Sequence, residues 1–206
     1  MTKTVEFCFD IVSPASYIAW HVLPGIAEAA GAEIVYTPVF LGGVMKATGN
    51  APPGTVEAKG AWMKRDLARW AALRGLPYRR NDVFPQNTLT AMRGCVAYLD
   101  RPMFRAYADA MFRAMHVDNL DIQDAARLAP VLESVGIRAD DFERDVGDQA
   151  VKDRLKANTE EAVARGVFGT PTFFVDGVLQ FGQDRLWMVA EDLGVDIHAS
   201  PVGKAS

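Results

Sequence analysis

The order in which strand and helix patterns fall along the chain limits the folds open to it more than any single motif does. Residues 4–10 alternate, with Val5, Phe7 and Phe9 set against Glu6, Cys8 and Asp10, which reads as a strand. Ser13-Pro14 then opens a helical pattern running to about residue 30; the serine suits an N-cap and the proline a first turn. Pro24 is expected to kink or split this helix, and Gly31 to end it. A second strand is expected over residues 32–40. Strand, helix and strand in this spacing imply two parallel strands joined by a right-handed crossover.

The pattern then changes. Residues 41–55 read as loop, with Gly42-Gly43, Gly49-Asn50 and Pro52-Pro53-Gly54. Helices are expected over 56–75, 88–99, 102–115, 122–135, 140–146 and 149–165, with no strand pattern between them. Thr172–Val175 and Val178–Phe181 flank Asp176-Gly177, a hairpin signal, and a last helix is expected over about 184–193, followed by a loose tail after Ile197. This is the order of an α/β thioredoxin-like fold with a large all-helical insertion between its βαβ and ββα halves. The expected boundaries are 1–45 with 166–206 for the thioredoxin-like domain and 46–165 for the helical insertion domain.

Composition narrows the function classes. The formal net charge of −4 and the lack of a basic stripe argue against a nucleic-acid partner. Lys64-Arg65 and Arg79-Arg80 read as solvated surface. No apolar run approaches the ~18 residues a membrane span requires, and no leader pattern is visible, so a cytoplasmic protein without a membrane partner is expected. Cys8 and Cys95 are far apart, form no CxxC pair, and read as buried thiols of a reducing compartment, with a disulfide between them as the alternative. No metal-ligand spacing, glycine-rich phosphate loop or GxSxG elbow occurs, and no metal is expected.

Four places carry candidate chemistry. Ser13 lies where the first strand hands over to the first helix, and free N–H groups at such a helix start favour an anion or thiolate. It reads either as a plain cap or as a donor to a bound sulfur; Ser16, one turn on, is a weaker case of the same kind. Gly169-Thr170-Pro171-Thr172 precedes a strand, where Pro171 is either an ordinary trans residue or a cis one that bares the Thr170 backbone. Asp184, after Gly182-Gln183, reads as a helix cap or as an acceptor for a ligand ammonium. Gly49-Asn50, Pro52-Pro53 and Lys59 read either as plain loop chemistry or as residues that could reach a carboxylate. Of the histidines, His21 is expected to pack within the first helix, His116 to favour a positive charge at a helix end, and His198 to lie in the tail.

Taken in order, these segments resemble one family. They are Phe9-Asp10-Ile11-Val12-Ser13-Pro14-Ala15-Ser16-Tyr17, Gly49-Asn50-Ala51-Pro52-Pro53, Lys59, Gly166-Val167-Phe168-Gly169-Thr170-Pro171-Thr172-Phe173 and Phe181-Gly182-Gln183-Asp184-Arg185-Leu186. The chain is similar, over about residues 5–193, to the 2-hydroxychromene-2-carboxylate isomerases and kappa-class glutathione transferases of the DsbA-like branch of the thioredoxin fold.

The resemblance implies that glutathione is the cofactor, with Ser13 facing its sulfur. It implies a cis Pro171, with the Thr170 backbone pairing with the tripeptide, and Gln183 and Asp184 holding the γ-glutamyl end. Asn50 and Lys59 would contact glutathione or the second substrate, and Lys46 or Lys59 the carboxylate of an aromatic substrate. The implied activity is glutathione-dependent cis–trans isomerisation of 2-hydroxychromene-2-carboxylate or a related aromatic pyruvate, in aromatic catabolism. The alternatives are a kappa-class transferase that conjugates glutathione to electrophiles, and a non-catalytic protein binding glutathione or an aromatic ligand. A homodimer is implied, for which Trp62, Trp70, Phe104, Tyr107 and Phe112 are candidate interface residues. Two positions depart from the family: Ala15 replaces a common aromatic residue, and Thr170 a usual aliphatic one.

Overall fold

The structure, a computed structural model, describes residues 2–195. Strand β1 (Lys3–Phe9), helix α1 (Pro14–Ala30) and strand β2 (Ala32–Pro38) form the expected opening, with β1 and β2 parallel. The chain returns to the sheet only with β3 (Thr172–Val175) and β4 (Val178–Phe181), antiparallel to each other, giving the strand order β2-β1-β3-β4. β3 pairs antiparallel with β1 through Glu6 with Phe174, Phe7 with Phe173 and Cys8 with Thr172. The four-stranded sheet and its helices make the expected α/β thioredoxin-like fold.

Helix α1 follows from its sequence. Ser13 caps it, Pro14 occupies the first turn, and Gly31 closes it at φ +60°, a left-handed value that costs glycine little. The helix continues through Pro24 rather than splitting there. Its buried face carries Tyr17, Ile18, Trp20, Leu23 and Ile26.

Alternation in β1 sorts its side chains between two cores. Val5, Phe7 and Phe9 belong to the main cluster with Trp20, Phe112 and Phe173, where Phe7 stacks on Phe173 at 5.2 Å between centroids. Burying such a side chain is worth ~1.5–3 kcal/mol. Cys8 points to the smaller cluster with Val39, Val44, Ala162, Val167 and Phe174.

Six helices lie between β2 and β3 in the expected region: α3 (Glu57–Leu73), α4 (Leu89–Tyr98), α5 (Phe104–His116), α6 (Ala125–Ser134), α7 (Ala139–Gly147) and α8 (Gln149–Ala164). A seventh, α2 (Leu41–Thr48), occupies a stretch read from its glycines as loop, and a 3-10 turn follows at Pro53–Thr55. Tertiary contacts override the weak helix propensity here. Asp10 Oδ2 accepts a hydrogen bond from the Leu41 N–H, Thr159 Oγ1 accepts one from Phe40, and Val44 is buried. The last expected helix is a 3-10 turn, Gln183–Arg185, running into α9 (Leu186–Asp192).

Aromatic residues read as a candidate interface are largely core. Phe104, Tyr107 and Phe112 are buried and Trp70 is half-buried, whereas Trp62 is 57% exposed. Cys8 and Cys95 are both free and buried. The expected tail and His198 lie outside the described residues.

Candidate active site

Ser13 sits where β1 gives way to α1, in a loop whose polar atoms are tied down in succession. The Asp10 carbonyl accepts a hydrogen bond from the Ser13 N–H at 3.1 Å, and Asp10 Oδ1 accepts one from Val12 at 2.9 Å. The Ile11 N–H donates to Met92 Sδ at 3.3 Å, and the Ile11 carbonyl lies 2.8 Å from His116 Nε2. Thr88, just before α4, donates its hydroxyl to Asp10 Oδ1 at 2.6 Å. Three side chains from the helical segment therefore define the loop that presents Ser13.

The Ser13 hydroxyl makes two hydrogen bonds. It accepts from the Ser16 N–H at 3.1 Å, as an N-cap does, and donates to the Thr170 carbonyl at 3.0 Å. The cap reading holds: Ser13 caps α1, and its hydroxyl also touches the segment before β3. The Thr170–Pro171 peptide bond is cis. The Gly182 N–H donates to the Pro171 carbonyl at 3.0 Å, which brings the Gln183–Arg185 turn alongside.

Asn50 also converges on this segment. Its amide nitrogen donates to the Phe168 carbonyl at 2.7 Å, and its Oδ1 accepts from Ala51 at 2.8 Å. Gly169 lets the Phe181 ring pack close beside this segment: a Cβ there would lie 2.9 Å from that ring, and 4.0 Å from Asn50 Nδ2. Thus Ser13, Thr170, Pro171, Gln183 and Asn50 come together.

The remaining candidates stand further out. Asp184 is exposed and pairs with Arg185 at 2.6 Å, so a ligand ammonium would share it with a guanidinium. Lys46, in the last turn of α2, and Lys59, near the start of α3, are exposed, and neither has an ion pair among the described residues. Ala15 is half-buried against the main core.

Among the described residues, buried side-chain atoms without a hydrogen-bond partner include Ser16 Oγ, Thr170 Oγ1 and Gln183 Oε1. All three residues belong to segments joined at Ser13. Leaving such an atom unsatisfied costs ~1–3 kcal/mol, a cost that a polar ligand can relieve.

Two buried titratable groups flank the loop. Burial pushes the Asp10 carboxyl up to about 6, against three hydrogen bonds that favour its charged form. Burial lowers His116 to about 4, only partly offset by its contact with the Ile11 carbonyl. His116 is therefore neutral near pH 7, and the positive charge expected at this helix end is absent, because the ring is buried among Tyr17, Tyr78 and Phe112. His21 is exposed, with Tyr17 edge-on at 4.9 Å between centroids.

Asp10, Thr88, Met92 and His116 were not singled out as site residues by the sequence. The signal for Asp10 was its place as the lone carboxylate within Phe7–Val12, an otherwise apolar run. No local signal marks the other three.

Comparisons agree with this architecture. A DSBA-like thioredoxin domain matches residues 4–194. The 2-hydroxychromene-2-carboxylate isomerase of Sphingobium xenophagum is 34% identical, over 90% of this chain and 95% of its own length. Glutathione S-transferase kappa 1 of Homo sapiens is 28% identical, over 94% and 92%. A solved structure of a 2-hydroxychromene-2-carboxylate isomerase superposes with a TM-score of 0.81 at 29% identity, covering 93% of this chain and 94% of that one.

Proposed function

Because the chain belongs to the DSBA-like thioredoxin domain family, on the branch that holds 2-hydroxychromene-2-carboxylate isomerases and kappa-class glutathione transferases, we propose that it is a glutathione-dependent isomerase. Its substrate would be 2-hydroxychromene-2-carboxylate or a related aromatic pyruvate, in cytoplasmic aromatic catabolism. The observation that carries this reading is the Ser13 hydroxyl on the Thr170 carbonyl, ringed by unpartnered buried polar atoms on Ser16, Thr170 and Gln183. A tripeptide thiol rich in amide and carboxylate groups fits that lining.

Glutathione, when bound, supplies a thiolate nucleophile that adds reversibly to an activated double bond. The chain's own part is orientation and charge. On binding, the Ser13 hydroxyl turns from the Thr170 carbonyl to donate its one hydrogen bond to the sulfur, with the start of α1 behind it favouring the anion. The backbone of Thr170, before Pro171, pairs with the tripeptide. Gln183 and Asp184 hold the γ-glutamyl ammonium. Asn50 braces the Gly169 segment and faces the ligand, and Lys46 or Lys59 holds the substrate carboxylate.

Titration calorimetry with reduced glutathione tests the reading. Wild type should bind, and Ser13→Ala should bind with a thiol pKa closer to that of free glutathione. No heat at millimolar ligand would remove glutathione from the account. The transferase reading, favoured by the likeness to the human kappa enzyme, is separated by product: an isomerase conserves free glutathione, and a transferase consumes it. Binding without turnover across a panel of enones would favour a ligand-binding protein. A homodimer is proposed with exposed Trp62 and Leu73 of α3 at its interface; light scattering giving a monomer mass would end it.

A further inference from the structure

Asp10 has no part in the reading above, yet its surroundings are unusual for a carboxylate. It is fully buried, and no ion pair includes it among the described residues. Isolated buried charge is costly, so its retention calls for a reason in its hydrogen bonds. Those bonds come from three separate elements. Oδ1 accepts from the Val12 N–H at 2.9 Å and from the Thr88 hydroxyl at 2.6 Å, while Oδ2 accepts from the Leu41 N–H at 2.8 Å.

Each donor leads to part of the site. Val12 immediately precedes Ser13. Leu41 opens α2, whose last turn carries Lys46 and which leads into Asn50. Thr88 immediately precedes α4, which also carries Met92. The Leu41 N–H is one of the free donors of a helix start, where negative charge is favoured.

We propose that Asp10 is a positioning residue for the Ser13 site: one carboxylate oxygen fixes the loop that presents Ser13, and the other fixes the α2 arm that carries Lys46 and Asn50. The proposal rests on the glutathione reading only for its functional readout. A neutral amide could satisfy one of these two segments, but its NH2 group would face the N–H of the other. Only the ionised carboxylate accepts on both sides.

Protonation should therefore act on one arm in particular. Oδ1 already holds two donors, so a proton goes to Oδ2 and displaces the Leu41 N–H. The groups facing Asp10 do not add charge to this event. They are the Thr88 hydroxyl and the Cys95 thiol of α4, whose proton burial holds in place, with His116 of α5 one carbonyl away and neutral. Acid should loosen α2 while leaving Val12 held.

The test uses the full chain, with Asp10→Asn as a mimic of the protonated state. Amide protection at Leu41 and Val12 is followed by NMR through pH ~6, alongside calorimetry with reduced glutathione. A tripeptide's carboxyls and thiol do not titrate in that range. In wild type, Leu41 protection should fall on acidification while Val12 protection stays, and glutathione affinity should drop about tenfold. Asp10→Asn should show low protection at whichever of Leu41 and Val12 its NH2 faces, and the weak binding already at neutral pH, with neither changing on acidification. Thr88→Val, which removes one donor to the ionised form, should shift the wild-type transition to higher pH, and it serves as the probe if Asp10→Asn does not fold.

Wild-type protection of both Leu41 and Val12 in Asp10→Asn overturns the proposal; so does a Thr88→Val transition at the wild-type pH. Affinity and pH profile unchanged in Asp10→Asn also overturn it, even with a lower melting temperature. If wild type fails to bind glutathione, the function proposed above fails, and the amide readouts still decide the role of Asp10.

Discussion

Replacing His116 with glutamine should uncover a pH dependence of stability that the wild-type chain hides. His116 is buried and lowered from 6.5 to about 4. As pH falls, the unfolded chain takes up this proton first, so the contribution of His116 is complete above pH ~6.5 and is lost by pH ~4. The gap between 6.5 and about 4 corresponds to ~3 kcal/mol. Asp10 runs the other way. Raised from 3.8 to about 6, it takes up its proton first in the folded chain. Its contribution is therefore complete below pH ~4 and is lost as pH rises through ~6. Between pH ~4 and ~6 the two nearly cancel. Glutamine keeps a donor for the Ile11 carbonyl but does not titrate. Urea denaturation followed by circular dichroism, at steps from pH ~4 to ~7, gives the stability difference between wild type and His116→Gln. That difference should grow by ~3 kcal/mol across the range. A flat difference would refute the assignment of His116 as a buried neutral ring.

Three further outcomes follow from the site and the core. Thr170→Val removes an unpartnered buried hydroxyl, so the ligand-free protein should gain ~1 kcal/mol, about 2–4 °C in melting temperature, while glutathione binds several-fold more weakly. Melting curves with and without glutathione check this, and a loss in both would show a merely structural threonine. Gly169→Ala sets a Cβ 2.9 Å from the Phe181 ring, and should cost ~1–3 kcal/mol by thermal melt and weaken glutathione binding as the Asn50 contact shifts. Gly94→Ala, whose Cβ would overlap Tyr107, should cost at least as much in denaturant melts, with weaker binding only through the lost fold.

The sequence made the sheet legible because its signals are local: alternation in β1, Ser13-Pro14 before α1 and Asp176-Gly177 in the hairpin each act within a few residues. Helix α2 was missed because its cause is remote. Glycines at 42 and 43 argue for loop, and only Asp10 and Thr159 reaching in from elsewhere make a helix of it. The same division runs through the site. Ser13 and Pro171 stand out by position and residue type, whereas Thr88 meets Asp10 across 78 residues and His116 meets Ile11 across 105. No window along the chain contains both partners, so no periodicity can report them.

The pairing of Phe7 with Phe173 has a consequence for how the protein is made. The strand that completes the centre of the sheet is synthesised after α1 to α8 have all emerged. Closing so long a loop in an unstructured chain is entropically unfavourable, and the helices shorten it by condensing first. Until β3 arrives, one edge of β1 is an open template for strands of other chains. Thr170 likewise reaches Ser13 only when synthesis is nearly finished. A nascent or truncated chain ending before residue 170 should therefore lack the proposed glutathione site altogether and be prone to aggregate, and glutathione binding would report completion of the whole polypeptide.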